Sequence, residues 1–368
     1  MIHYFDLAAQ QAAIKQQIDD NISKVLAHGK YILGPEVSEL EECLCEYTGA
    51  KYCITCANGT DALQIALMAI GVGPGDEVIT PAFSYIATAE ATALLGAKPI
   101  YVDVDPVTFN INPALIEEKI TRRTKAVIPV SLYGQPADFE RINRIAKRHD
   151  LIVIEDAAQS FGSEQNGRKS CNLSDIACTS FFPTKPLGCY GDGGAIFTSN
   201  EEFAKVLRQI SRHGQERRYY HTMVGINSRL DTIQAAVLLA KLQILDLEIE
   251  VRNRHAAIFS NEFNSINGIE PPIVCGGNSS SWAQYTVKLQ NRDAVSRRLI
   301  EVGIPTAVHY PLPLHKQPAV HDEAMLFLQA EYLADTVLSI PAHAYLDEKH
   351  VEKIIHELIE SVHLDESL

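Results

Sequence analysis

Lys185 lies in a segment rich in residues that stiffen or turn a backbone. Prolines stand at 183 and 186, and Gly188, Gly191, Gly193 and Gly194 follow. Apolar runs, Ile176-Ala-Cys and Ala195-Ile-Phe-Thr, flank the segment, so the lysine is expected on a loop between strands. Confinement in such a loop disfavours the charged ammonium and frees the amine to attack a carbonyl. A solvated loop lysine is the commoner case, so Lys185 needs partners to be read otherwise. Two stretches supply them. Leu151-Ile-Val-Ile-Glu-Asp156 reads as a buried parallel strand with acids at its carboxyl end, where open α/β sheets bind ligands. Asn58-Gly-Thr-Asp-Ala-Leu63 reads as a helix start, with Asn58 as N-cap and Leu63, Ala66, Leu67 and Ile70 at helical spacing. Free N–H groups at a helix start attract phosphate. An amine, a carboxylate and a phosphate cradle are what pyridoxal phosphate asks of a protein.

These residues need a frame to bring them together. Helices are expected over Gln11 to His28, Val37 to Tyr47, Asp138 to His149 and Glu201 to His213, with a long one over Leu230 to Glu250. Short strands are expected at Lys51 to Cys56, Glu77 to Thr80, Lys98 to Val104 and Ala126 to Ser131. Their alternation indicates an α/β fold with a parallel sheet. A second, smaller domain is expected to start near Arg254, with a strand at Tyr285 to Leu289 and helices at Arg292 to Val302 and Asp347 to Val362. The glycines in Gly71-Val-Gly-Pro-Gly75 follow a helix and precede a strand, the reverse of the order a dinucleotide loop requires.

Six motifs fall in order along nearly the whole chain. They are Asn58-Gly-Thr-Asp-Ala-Leu63, Glu155-Asp-Ala-Ala-Gln159, Ser180-Phe-Phe-Pro-Thr-Lys185, Gly191-Asp-Gly-Gly194, Asn227-Ser-Arg-Leu-Asp231 and His309-Tyr-Pro-Leu-Pro-Leu-His315. Together they resemble the DegT–StrS nucleotide-sugar aminotransferases, which are fold-type I pyridoxal-phosphate enzymes. The resemblance implies a large domain over residues 1–250, with a mostly parallel seven-stranded sheet between helices, and a small α+β domain over 251–368. It implies that Lys185 carries the cofactor and moves protons, that Asp156 pairs with the ring nitrogen and that Gln159 meets the ring hydroxyl. By the same resemblance Tyr85 stacks on the ring, Gly59, Thr60 and Ser180 hold its phosphate, and Asn227 completes that site from a partner subunit. Arg229, His309 and Tyr310 then face the substrate, and the enzyme is a homodimer with shared active sites. L-glutamate is the implied amine donor. The implied acceptor is a UDP-linked 3-keto sugar, nearest to UDP-2-acetamido-2-deoxy-3-oxo-D-glucuronate, for surface polysaccharide such as O-antigen. Some family members carry histidine in place of the lysine and dehydrate sugars; Lys185 favours transamination. Another nucleotide keto sugar, or a non-catalytic regulator that binds the cofactor, remain the alternatives.

The 368 residues carry a net charge of −14, which argues against a nucleic-acid surface. Met1-Ile-His-Tyr-Phe-Asp-Leu has neither a basic nor an apolar leader region, and no run approaches a membrane span, so a cytoplasmic protein is expected. Four of the eight cysteines cluster at 43, 45, 53 and 56. With no second C-x-x-C or paired histidines after them, they read as small apolar residues in a reducing compartment rather than as a zinc site.

Overall fold

The computed structural model describes residues 1–322 and 326–366. Seven short strands form its main sheet: β1 Tyr52–Cys56, β2 Glu77–Pro81, β3 Lys98–Val102, β4 Thr124–Val127, β5 Ile152–Asp156, β6 Ile176–Ser180 and β7 Gly194–Thr198. Their spatial order is β1-β7-β6-β5-β4-β2-β3. Only β7 runs against its neighbours; all other pairs are parallel. Helices bury both faces, so each strand feeds two cores with alternate side chains. Val153 joins Phe139 and Ile142 on one side, whereas Ile154 joins Leu63, Ile65 and Leu207 on the other.

A second, antiparallel sheet joins Ile269–Glu270, Tyr285–Leu289 and Val337–Ile340. The helices Arg292–Glu301 and Glu348–Glu366 cover it around Tyr285, Val287, Leu299 and Ile354. Ile2 is buried in this same core, and the His3 carbonyl accepts a hydrogen bond from His343 Nε2 at 3.1 Å. The N-terminal segment is thereby tied to the C-terminal part of the chain. No helix among the described residues is long and apolar enough to cross a membrane.

Several helix boundaries differ from expectation, and the helix expected over Glu201 to His213 ends at Ile210. The first helical stretch starts at Leu7, where Asp6 caps Ala9, and divides at Ile14 into Leu7–Ala13 and Lys15–His28. The long helix from Leu230 is two, Thr232–Leu242 and Leu245–Phe263. No glycine or proline marks that break. Ile244 donates to Lys241 in a tighter i−3 bond and packs against Ile14, Ile18 and Ala240, so tertiary packing turns the chain there. The second of these helices runs past Arg254 because Ala256, Phe259 and Phe263, at helical spacing, bury against Tyr285. The expected domain boundary at 250 falls inside it. Two helices, Ala87–Leu94 and Leu328–Thr336, and the strand Val337–Ile340 were not anticipated.

Candidate active site

The candidate anion cradle begins with a cap. Asn58 is extended, and its side chain accepts from Asp61 N at 2.8 Å, opening the helix Gly59–Ala69. That satisfies one of the free donors of the first turn and leaves the N–H groups of Gly59 and Thr60 without an intrahelical acceptor. The helix start abuts the end of β6 so closely that a methyl group on Gly59 would lie 2.7 Å from Ser180 Cβ. A methyl on Gly194 would lie 2.5 Å from the Asn58 carbonyl carbon and oxygen. Glycine at both positions lets helix start and sheet edge meet. Gly59, Thr60 and Ser180 are thus side by side and half-buried, as a small anion's cradle would require.

Asp156 ends β5 next to this cradle's strand. Its backbone is fixed by bonds to Pro129 and Ser131, and its carboxylate accepts from Ala158 N at 3.1 Å. Strand alternation sends Glu155 the other way, where Ser170 Oγ and Cys171 N donate to it at 2.5 and 3.0 Å. Burial pushes the Asp156 carboxyl above its ordinary range, while Ala158 and Lys185 pull it back. Burial pushes the Lys185 amine below its ordinary range, and Asp156 opposes that. The lysine and the acid therefore sense each other in a poorly solvated site, the condition for a nucleophilic amine. The lysine's loop is tightly folded: Lys185 N donates to the Phe182 carbonyl at 2.9 Å, and a methyl on Gly188 would lie 2.5 Å from the Pro183 oxygen.

Gln159, Tyr310 and His309 complete one wall. Gln159 is buried, accepts from Tyr133 N at 2.8 Å and donates to Tyr310 Oη at 3.1 Å. One of its amide hydrogens remains for a ligand. Tyr85, 56% exposed, has its ring 6.0 Å from that of Tyr310, which also neighbours the rings of Phe83 at 6.3 Å and His309 at 5.7 Å. His309 is near enough to Lys185 to feel its charge; burial and that charge push its imidazole down to about 4. Tyr133, not singled out from the sequence, clamps this wall by donating its hydroxyl to the His309 carbonyl. Ser339, also missed, contacts His309 Nδ1 at 3.0 Å. Local patterning carries no signal for either, since both contacts join segments far apart in the chain.

Asn227 and Arg229 lie on another segment of the chain. Asn227 is exposed and pairs with Arg212 as an isolated bridge. Its neighbour Ser228 is buried and accepts from Ala57 N at 3.0 Å, which anchors the segment beside the Asn58 cap. Arg229 is half-buried, close enough to Arg212 to disfavour its charge, and makes no ion pair among the described residues. All eight cysteines are free; Cys53 and Cys56 are buried in cores, and Cys43 and Cys45 lie on the helix Pro35–Thr48.

An anion cradle, an amine of lowered basicity and a facing carboxylate together suit a planar aldehyde bearing a phosphate and a basic ring nitrogen. The comparisons with known proteins agree. The sequence pattern of the DegT/DnrJ/EryC1/StrS aminotransferase family matches residues 12–359. A protein of Pseudomonas aeruginosa PAO1, UDP-2-acetamido-2-deoxy-3-oxo-D-glucuronate aminotransferase, is 60% identical over 354 residues, 96% of this chain and 98% of its own. A family aminotransferase from Brucella abortus has the same fold, with TM-score 0.93 and 44% identity over 98% of this chain and 100% of that one. The ntda protein of Bacillus subtilis, solved with bound cofactor PMP, gives TM-score 0.89 and 34% identity over 95% of this chain and 82% of its own.

Proposed function

The chain belongs to the DegT/DnrJ/EryC1/StrS aminotransferase family, and from that premise we propose that it moves an amino group from L-glutamate to UDP-2-acetamido-2-deoxy-3-oxo-D-glucuronate with pyridoxal 5'-phosphate as cofactor. The observation that carries the reading is half-buried Lys185 within electrostatic reach of buried Asp156, beside the Asn58-capped helix. Bound there, the cofactor supplies the electron sink that lets an amine-bearing carbon lose its proton. Lys185 Nζ, of lowered basicity, takes and returns that proton, since an acid–base group works best with a pKa near the operating pH. Asp156 pairs as carboxylate with the protonated ring nitrogen, and that cation offsets the burial that otherwise raises its pKa. The N–H groups of Gly59 and Thr60, with the Ser180 hydroxyl, hold the phosphate. Gln159 directs its remaining amide hydrogen at the ring hydroxyl, and Tyr85 covers the ring face.

Arg229, His309 and Tyr310 face the sugar in this reading. The planar guanidinium of Arg229 suits a uronate carboxylate through two parallel hydrogen bonds. Exposure of Asn227 supports its donation to the phosphate site of a neighbouring copy, which makes the enzyme a homodimer with shared sites. We assign the reaction to the cytoplasm, where its UDP-linked 3-amino uronate is a precursor for surface polysaccharide such as O-antigen. The test is to charge the enzyme with pyridoxamine phosphate and offer UDP-linked 3-keto sugars with and without the carboxylate. Preferred amination of the uronate supports the assignment. Equal use of neutral and acidic sugars contradicts the uronate assignment, and no transfer to any of them contradicts the activity.

A further inference from the structure

We infer that Ser339, backed by Thr286, fixes His309 as the neutral ring tautomer with its proton on Nε2, so that the site offers a hydrogen-bond donor to a substrate oxygen. The donor role rests on the transaminase reading above; the tautomer does not. Thr286 and Ser339 face each other across the two strands Tyr285–Leu289 and Val337–Ile340. Both are fully buried, their hydroxyl oxygens lie 2.8 Å apart, and Ser339 Oγ is 3.0 Å from His309 Nδ1.

Counting protons gives this chain a direction. Thr286 has a hydroxyl hydrogen and one side-chain partner, the Ser339 oxygen. If Thr286 donates to Ser339, the Ser339 hydrogen passes to Nδ1, and every hydroxyl hydrogen is paired. Nδ1 is then an acceptor, and the single ring hydrogen sits on Nε2. In the reverse order Nδ1–H donates to Ser339, Ser339 donates to Thr286, and the Thr286 hydrogen is buried without an acceptor. Buried polar groups rarely stay unpaired. Passing the Ser339 hydrogen to the neighbouring Tyr4 hydroxyl fails the same count, because buried Tyr4 Oη has no acceptor of its own. Protonating both nitrogens is disfavoured by burial and by the Lys185 charge. The ring is also held in place: Tyr133 donates to the His309 carbonyl, and the Tyr4 and Tyr310 rings lie 6.2 and 5.7 Å from the imidazole. His309 Nε2 has no hydrogen-bond partner among the described residues and is left for the substrate. Ser339 and Thr286 are positioning residues; only His309 would touch substrate.

The experiment reads the tautomer itself. Holoenzyme labelled with nitrogen-15 histidine is examined by long-range proton–nitrogen correlation at neutral pH, with His309 assigned from a His309→Asn sample. We expect an unprotonated Nδ1 and a protonated Nε2. Thr286→Val removes a donor to Ser339 but no acceptor of its hydrogen, so the tautomer should persist. Ser339→Ala should mix the tautomers, and Ser339→Thr should restore the single form; cofactor content and thermal midpoint check that each variant is folded. In the keto-sugar half-reaction, Ser339→Ala should raise KM by the factor by which the Nε2-protonated fraction falls, about twofold for an even mixture, with the glutamate half-reaction unchanged. A rise confined to the uronate assigns the donor to the carboxylate, and a rise shared with a neutral sugar assigns it to the keto oxygen. A protonated Nδ1 in the wild type, or an unchanged tautomer in Ser339→Ala, overturns the inference. Absence of transfer by the wild type would defeat the proposed function alone, since the nitrogen shifts are read on the same sample.

Discussion

Gly59→Ala should weaken cofactor binding about ten- to hundredfold without unfolding the protein. The added methyl would lie 2.7 Å from Ser180 Cβ and 3.3 Å from Ser180 Cα. Carbon atoms pack best about 3.5–4.0 Å apart, so helix start and strand end must separate by roughly 1 Å. The N–H groups proposed to hold the phosphate ride on that helix start. An N–H···O bond of about 2.9 Å lengthened by that amount falls outside hydrogen-bonding range. A hydrogen bond to a charged group contributes about 1.5–3 kcal/mol, which sets the expected range. The assay is titration of cofactor-free protein with pyridoxal phosphate, followed by absorbance or tyrosine fluorescence. Gly73→Ala is the control: a methyl there meets nothing within 4 Å, so its affinity should equal the parent's. Unchanged affinity in Gly59→Ala would refute the cradle, as would an equal loss in Gly73→Ala.

Asp156→Asn should lower turnover by about 10² or more, the scale of one preorganised electrostatic group. Its stability should move the other way in cofactor-free protein. Burial raises the folded Asp156 pKa, so the stability it lends is full below the unfolded value and is lost as pH rises through the raised one. Denaturant melts at several pH values should show Asp156→Asn at least as stable as the parent at neutral pH, with the gap closing in acid. Arg229→Ala should cost about 2–5 kcal/mol with the uronate and much less with a neutral sugar, measured as kcat/KM in the keto-sugar half-reaction. Mixing inactive Lys185→Ala chains with inactive Asn227→Asp chains should regain partial activity through hybrid dimers; no recovery despite proven subunit exchange would mean self-contained sites.

The parts of the site that rest on local chemistry were legible in the sequence. Asn58 announced a helix start, the Leu151–Ile154 run announced a buried strand, and prolines with glycines announced the Lys185 loop. Each depends on residues a few positions apart. The break at Ile244 depends on Ile14 and Ile18, more than two hundred positions earlier, and leaves no glycine or proline behind. Ala87–Leu94 is built from alanine and threonine with a single glutamate and a single leucine, with too little contrast between its faces to stand out. The wall around His309 joins Tyr4, Tyr133, Thr286 and Ser339 from four separate segments. Motif reading finds His309 and Tyr310 but not the Tyr133 and Ser339 hydroxyls that contact His309.

The most direct measurement is to trap the bond between cofactor and protein. Reduction of pyridoxal-phosphate-loaded enzyme with borohydride, then proteolysis and mass analysis, identifies the lysine that carries the cofactor. Burial gives the chain a second lysine of lowered basicity, Lys241, pushed down to about 8 and stacked 4.4 Å from the Tyr190 ring. Low basicity alone would therefore not select between them; the facing Asp156 and the cradle do. The label is expected on Lys185, and its loss, together with turnover, in Lys185→Ala. A label on Lys241 or any other lysine, or full turnover in Lys185→Ala, would contradict it.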